Sequence, residues 1–174
     1  MRLSQVIELL GNSVLQVVNP GNVDPEFDHI ESDSRGLKER NLFICIKGTN
    51  FDSHLIAREL QRKGAVALVA EMPIEDEEVV VPIVYVKSSR LVEALLTMEE
   101  YCHPYRKLTT IGVTGTNGKT TITTLIYHVL SSFERKASLI GTVRNVVGEN
   151  IYTNPKNTTP GRSSLQSFFN FPRN

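Results

Sequence analysis

The residues best equipped for chemistry form the run "GTNGKTT", Gly115 to Thr121. Gly115 and Gly118 permit a tight turn whose backbone N–H groups can converge on phosphate oxygens with no side chain in the way. Helical periodicity follows, so a helix N-terminus adds its partial positive charge at the same place. Lys119 would reach the terminal phosphates of a nucleotide, and the Thr120 hydroxyl would take one position on a bound Mg2+ ion. Asn117 and the flanking Thr116 and Thr121 complete the loop. The pattern departs from G-x-x-x-x-G-K-[ST], which asks for glycine at position 113 where this chain has Val113. A glycine-rich strand-to-helix turn with an exposed lysine would use the same residues. A β-rich run before the loop and an amphipathic run after it favour phosphate binding.

Such a loop needs a sheet behind it, and the composition allows one. The chain has 174 residues, 40% of them hydrophobic, enough for one ordinary core or two small ones. Lys and Arg total 19 and Asp and Glu total 19, so no general field favours nucleic acid or anionic lipid, and neither is expected as a partner. Cys45 and Cys102 lie in apolar surroundings without a CxxC or Cys/His cluster, which points to two buried thiols rather than a zinc site. The opening "RLSQVIELLG" is interrupted by Gln5 and Glu8 and carries no cleavage pattern. No apolar run approaches the roughly 20 residues of a membrane span. A soluble, cytoplasmic monomer is expected.

The elements follow from periodicity. Leu3, Val6, Ile7 and Leu10 recur at helical spacing, with Ser4 placed to cap and Gly11 to stop. Pro20-Gly21 and Asp24-Pro25 confine the next stretch to short strands and turns. "NLFICIKG" is a doubly covered strand, and Asp52 or Ser53 can cap "HLIARELQRKG", with Leu55, Ile56 and Leu60 on one face and Gly64 at its end. "AVALVAE" and "VPIVYVK" are further strands, separated by the acidic loop "EMPIEDEE". "RLVEALLTMEEYC" is a helix with Leu91, Val92, Leu95 and Leu96 inward. The alternation predicts an α/β domain over residues 1–103, a linker over 104–107 ("HPYRK" marks the joint), and a second, incomplete α/β unit over 108–174. In the latter "LTTIGVTG" and "ASLIGTV" are expected strands around a helix from Lys119 to Leu130, whose Ile122, Leu125, Ile126, Val129 and Leu130 share a face.

The loop form G-T-N-G-K-T-T preceded by "GV" resembles that of the Mur ligase family, which makes bacterial cell-wall precursors by ATP-driven amide formation. "SDSRGLKERNLFICIKGTNFDSHLIARELQRKGAVALV" is similar to the family's uridine-nucleotide-binding domain, with D-S-R, L-F-x-x-x-x-G, D-x-H and G-A in order. "LIGTV" followed by "NTTP" resembles the member that adds the third peptide residue to UDP-N-acetylmuramoyl-L-alanyl-D-glutamate. The resemblance implies ATP and Mg2+ as cofactors, held at Gly115 through Thr121 with Lys119 catalytic and Thr120 on the metal. It implies a UDP-N-acetylmuramoyl-dipeptide and an amino acid as substrates. Ser32, Ser34, Thr49, Asn50 and Phe51 fall where the family contacts the uridine nucleotide. Asn157, Thr158 and Thr159 fall where it contacts the muramoyl peptide, and adjacent hydroxyl and amide groups suit a carboxylate or carbonyl there. The expected fold is thus a uridine-nucleotide-binding α/β domain followed by the truncated start of a P-loop, parallel-sheet ATPase domain. The expected activity is an ATP-dependent peptide ligase inactive as this chain alone. The alternative is a stand-alone module that binds the UDP-muramoyl peptide or a nucleotide without catalysis. His54, beside a helix cap, is expected to be structural.

Overall fold

The computed structural model describes residues 1–49, 51–103, 106, 108–148 and 150–153. They divide into two compact units, Met1–Cys102 and one beginning at His103.

In the first unit five strands form one sheet in the order β1-β5-β4-β3-β2. Strands β2 (His29–Glu31), β3 (Asn41–Ile44), β4 (Ala65–Ala70) and β5 (Ile83–Val86) run parallel, and β1 (Val14–Val18) pairs antiparallel with β5. Side chains alternate between faces with a period of two, and both faces are covered. Leu42, Ile44, Ala67, Val69, Val84 and Val86 meet α1 (Leu3–Leu10) and α3 (Ser89–Glu100) in one core. Phe43, Cys45, Leu68, Ala70 and Ile83 meet α2 (Ala57–Arg62) in the other. That double cover is why the strands read as continuous apolar runs.

Local details depart from the sequence reading. Ser4 does not cap α1, whose N-cap is Arg2; Ser4 lies inside the helix, and its N–H and hydroxyl donate to the Asp24 carboxylate at 2.8 and 2.9 Å. The acceptor for the first turn comes from twenty residues away. Asp52 does cap, accepting from His54 N–H, but the first turn is a 3-10 turn over Ser53–Ile56 before α2 begins. Leu55 consequently points outward, 84% exposed, while Ala57 and Leu60 are buried. On α3 only Val92 and Leu96 of the four expected leucines and valine are buried, with Ser89 completing the stripe; Leu91 and Leu95 are exposed. Gly64 closes α2 at φ +107, and a Cβ there would come within 2.6 Å of Glu39 Cα. Cys45 is buried as expected, whereas Cys102 is exposed.

In the second unit α4 (Lys119–Ser132) forms, with Ile122, Leu125 and Val129 exposed. The expected strands do not. Residues 108–114 carry no ladder, because among the described residues no segment pairs with them, and an unpaired extended run is not a strand. In "ASLIGTV" Leu139 alone pairs among the described residues, bridging Val146. The chain turns back there into an antiparallel hairpin, β6 (Arg144–Val147) with β7 (Asn150–Thr153), through Gly148 at φ +60. No helix among the described residues is long and apolar enough to cross a membrane.

Candidate functional site

The parallel strands of the first unit end at one edge, and the segments that leave that edge carry the residues of interest. Open parallel sheets bind ligands outside their strand carboxyl ends. Ser32 and Ser34 follow β2, Thr49 and Phe51 follow β3, Glu71 follows β4, and α3 starts after β5. Asn50 lies outside the described residues, as do Asn157, Thr158 and Thr159.

After β2 the chain makes a turn in which Gly36 N–H donates to Asp33 O. Glu31 organises its entry, since one carboxylate oxygen accepts from the N–H groups of Ser32 and Asp33 at 2.9 and 3.0 Å. Arg35 donates to Asp33 through both its guanidinium and its backbone, and these bonds hold the Asp33 carboxyl below its ordinary range. Asp33 and Arg35 are thus committed to each other, with half-buried Ser34 between them. The Ser32 hydroxyl donates to Glu93 Oε1 of α3 at 2.5 Å.

After β3 the chain forms a closed loop. Gly48 N–H donates to Phe51 O at 2.8 Å, Lys47 bridges Asp52, and the Ser53 hydroxyl both accepts from Ile46 N–H and donates to Ile46 O. Thr49 and Phe51 are presented to solvent at its tip. Behind it sits His54, whose Nδ1 lies 2.6 Å from Asp52 Oδ1 and whose Nε2 accepts from Glu71 N–H at 3.3 Å. These two contacts define the tautomer, with the proton on Nδ1. Glu71 continues the chain by accepting from Ser89 N–H at the start of α3. Burial pushes Asp52 up, but the bonds from the His54 ring and backbone, with the charge of Lys47, outweigh it and leave the carboxyl below its ordinary value. Burial, helped by Asp52, pushes the Cys45 thiol up to about 12, which removes it from nucleophilic chemistry at neutral pH.

In the second unit Gly115 and Gly118 adopt φ +148 and +75. Gly118 is the N-cap of α4 in a left-handed conformation; it brings no side-chain acceptor, and the first turn has no acidic residue. The first N–H groups of a 14-residue helix therefore face the loop without a side-chain partner at the cap. Lys119 folds back over the loop, its Nζ donating to Gly115 O at 2.6 Å and Thr116 O at 3.2 Å. A pocket of about 260 Å³ beside it is lined by Thr120, Thr123, Thr124, Leu139, Gly141, Val143 and Arg144. Positively polarised N–H groups, an ammonium and a hydroxyl are brought together, a donor set that fits a phosphate chain. No group of three or more His, Cys, Asp or Glu residues able to hold a metal occurs among the described residues.

The sequence reading passed over Glu31, Glu71 and Glu93. Glu31 bonds its immediate neighbours, whereas the partners of Glu71 and Glu93 lie 18 and 61 residues away, where no local pattern marks them.

Comparison with known proteins gives a consistent picture. The model of the Mur ligase family, catalytic domain, matches residues 26–101, and that of the Mur ligase middle domain matches residues 113–174. A UDP-N-acetylmuramoyl-L-alanyl-D-glutamate–2,6-diaminopimelate ligase of Bacillus cereus is 42% identical over 146 residues, covering 84% of this chain and 29% of its own length. Its counterpart in Bacillus licheniformis is 34% identical over 169 residues, covering 97% and 33%. A solved ligase of the same name superposes with a TM-score of 0.57 at 22% identity over 82% of this chain and 28% of that one, a likeness of fold. The chain spans about a third or less of the length of these relatives.

Proposed function

This chain belongs to the Mur ligase family, and from that membership we propose that it supplies the uridine-nucleotide-binding unit and the ATP loop of a cytoplasmic peptide ligase. The reaction is addition of the third residue to UDP-N-acetylmuramoyl-L-alanyl-D-glutamate in peptidoglycan precursor synthesis, with 2,6-diaminopimelate, the amine in the relatives' names, as the incoming amino acid. The observation that carries the reading is the strand-end edge of the first unit, where the segments around Ser32, Ser34, Thr49 and Phe51 emerge together from a closed core.

Each part has a physical task. The edge binds the nucleoside end and leaves the peptide end projecting. Gly115 through Thr121 would hold the phosphates of ATP through backbone N–H groups and the Lys119 ammonium, which already lies across the loop. Thr120 would give one ligand to Mg2+, the rest coming from phosphate and water, as that ion commonly accepts. ATP supplies a phosphoryl group that turns a carboxylate oxygen into a leaving group. Lys119 and the α4 N-terminus neutralise charge and fix direction, the electrostatic share of such a reaction. Asn157, Thr158 and Thr159 would receive the muramoyl peptide.

The closed core of Met1–Cys102 also favours nucleotide binding by that unit without catalysis. Calorimetric titration of the chain with UDP-N-acetylmuramoyl-L-alanyl-D-glutamate tests the shared step, with saturable heat expected; no uridine-dependent heat refutes it. Amide formation with ATP, Mg2+ and diaminopimelate is expected to be negligible for these 174 residues alone, and product release overturns that part.

A further inference from the structure

The bond between Ser32 and Glu93 has a direction, and that direction limits what can bind beside it. A serine hydroxyl has one proton and two acceptor lone pairs. In Ser32 that proton is directed at Glu93 Oε1, at 2.5 Å. Ser32 therefore faces the edge as an acceptor. The adjacent N–H groups of Ser32 and Asp33 are equally committed, both to Glu31 Oε1. A phosphate oxygen, which only accepts, finds no donor in the Ser32 hydroxyl or in the N–H groups of Ser32 and Asp33, and meets the carboxylates of Glu31 and Glu93 besides. One turn earlier on α3, Arg90 donates to Lys47 O at 3.2 Å, so Lys47 and Arg90 bring two cationic side chains to the start of the loop after β3. Residues three apart are neighbours on a helix surface. A single turn of α3 thus presents an acidic, proton-accepting end beside Ser32 and a cationic end beside Gly48.

We propose that Glu93 is a positioning residue that fixes Ser32 as a hydrogen-bond acceptor, so that the edge takes the nucleotide with a donor of its nucleoside, the uracil N3–H or a ribose hydroxyl, on Ser32. The diphosphate then lies toward Lys47 and Arg90. The proposal rests on the uridine-nucleotide reading above and adds a residue and an orientation to it. Glu93 itself need not touch the ligand; it acts through the hydroxyl.

The test is a set of calorimetric affinities of the 174-residue chain for UDP, N3-methyl-UDP, 2′-deoxy-UDP and 3′-deoxy-UDP. The unmodified chain should bind one analogue about tenfold more weakly than UDP, the scale of one lost hydrogen bond to a half-buried partner. Which analogue suffers identifies the donor. In Glu93→Gln the side-chain amide can turn an N–H toward Ser32, and the hydroxyl is released to donate. The tenfold preference should then shrink to about twofold, and Ser32→Ala should shrink it likewise. A structural role for Glu93 would lower stability while leaving that ratio alone. Absence of UDP binding in the unmodified chain overturns the uridine reading and this proposal with it. UDP binding with no discrimination among the analogues, or with discrimination unchanged in both variants, overturns this proposal alone.

Discussion

Replacing His54 by phenylalanine tests whether the loop after β3 is held from behind by a buried polar chain. The side chain is 3% exposed, and phenylalanine fills nearly the same volume, so packing changes little. Two hydrogen bonds are lost. Glu71 N–H loses its Nε2 acceptor in a half-buried position, a cost of about 1–3 kcal/mol. Asp52 loses the 2.6 Å contact to Nδ1 but keeps His54 N–H at 3.0 Å and some access to water, which puts its loss near the low end for a charged group, about 1.5 kcal/mol. Together these give about 3 kcal/mol, a large share of the roughly 5–15 kcal/mol that stabilises an ordinary domain. Hydrogen exchange of the Cys45 and Leu68 amides, which donate to Val69 O and Pro82 O inside the sheet, reads the opening free energy of this unit without interference from the other. His54→Asn can keep one of the two bonds and should lose about half as much. A His54→Phe chain whose core amides exchange within about 0.5 kcal/mol of the unmodified one would refute the reasoning, because surface substitutions commonly stay within that range.

Gly64→Ala should destabilise the first unit by more than about 1 kcal/mol, since the added Cβ meets Glu39 Cα in a left-handed backbone that alanine resists; a urea midpoint unchanged from the parent would contradict this. Alkylation of the native chain at pH 8, read by peptide mass spectrometry, should modify exposed Cys102 and spare Cys45, whose thiol burial holds protonated; equal labelling would count against the buried position. Asp33 and Asp52 both have folded carboxyl values below the ordinary 3.8, so they add stability above that value and lose it as pH falls through the folded ones. The urea midpoint should therefore be flat near neutrality and decline only below about pH 4, and a decline beginning near pH 6 would point to other groups.

How much of this was legible beforehand depended on whether the cause was local. Strands β3, β4 and β5 announce themselves because both of their faces are covered, leaving runs such as "LFICI" and "AVALVA" without polar interruption. The helix face of α3 was read too wide. Periodicity places Leu91, Val92, Leu95 and Leu96 within one arc, but which rows turn inward depends on the sheet beneath, against which Val92 and Leu96 pack. The true acceptor for Ser4 is Asp24, and no local cap rule reaches that far. "LTTIGVTG" carries strand propensity, yet a strand exists only with a partner, and none of the described residues offers one. The hairpin through "VVGENIY" did leave a signal, a glycine turn between apolar alternations, which the expectation of a parallel unit obscured. At the site, the loop glycines and Lys119 were legible because their chemistry is contiguous in sequence. Glu71 and Glu93 were not, because their roles exist only once distant strands have brought their partners together.

The central claim is that a uridine nucleotide sits at the carboxyl edge of the parallel strands. The most direct measurement is an amide-resolved NMR titration of the isotope-labelled chain with UDP. The account predicts saturable shifts concentrated at residues 31–36, 47–53 and 88–93, with little change on β1 or the hairpin β6–β7. Shifts confined to the loop at Gly115 to Thr121, or absent throughout at millimolar UDP, would contradict it.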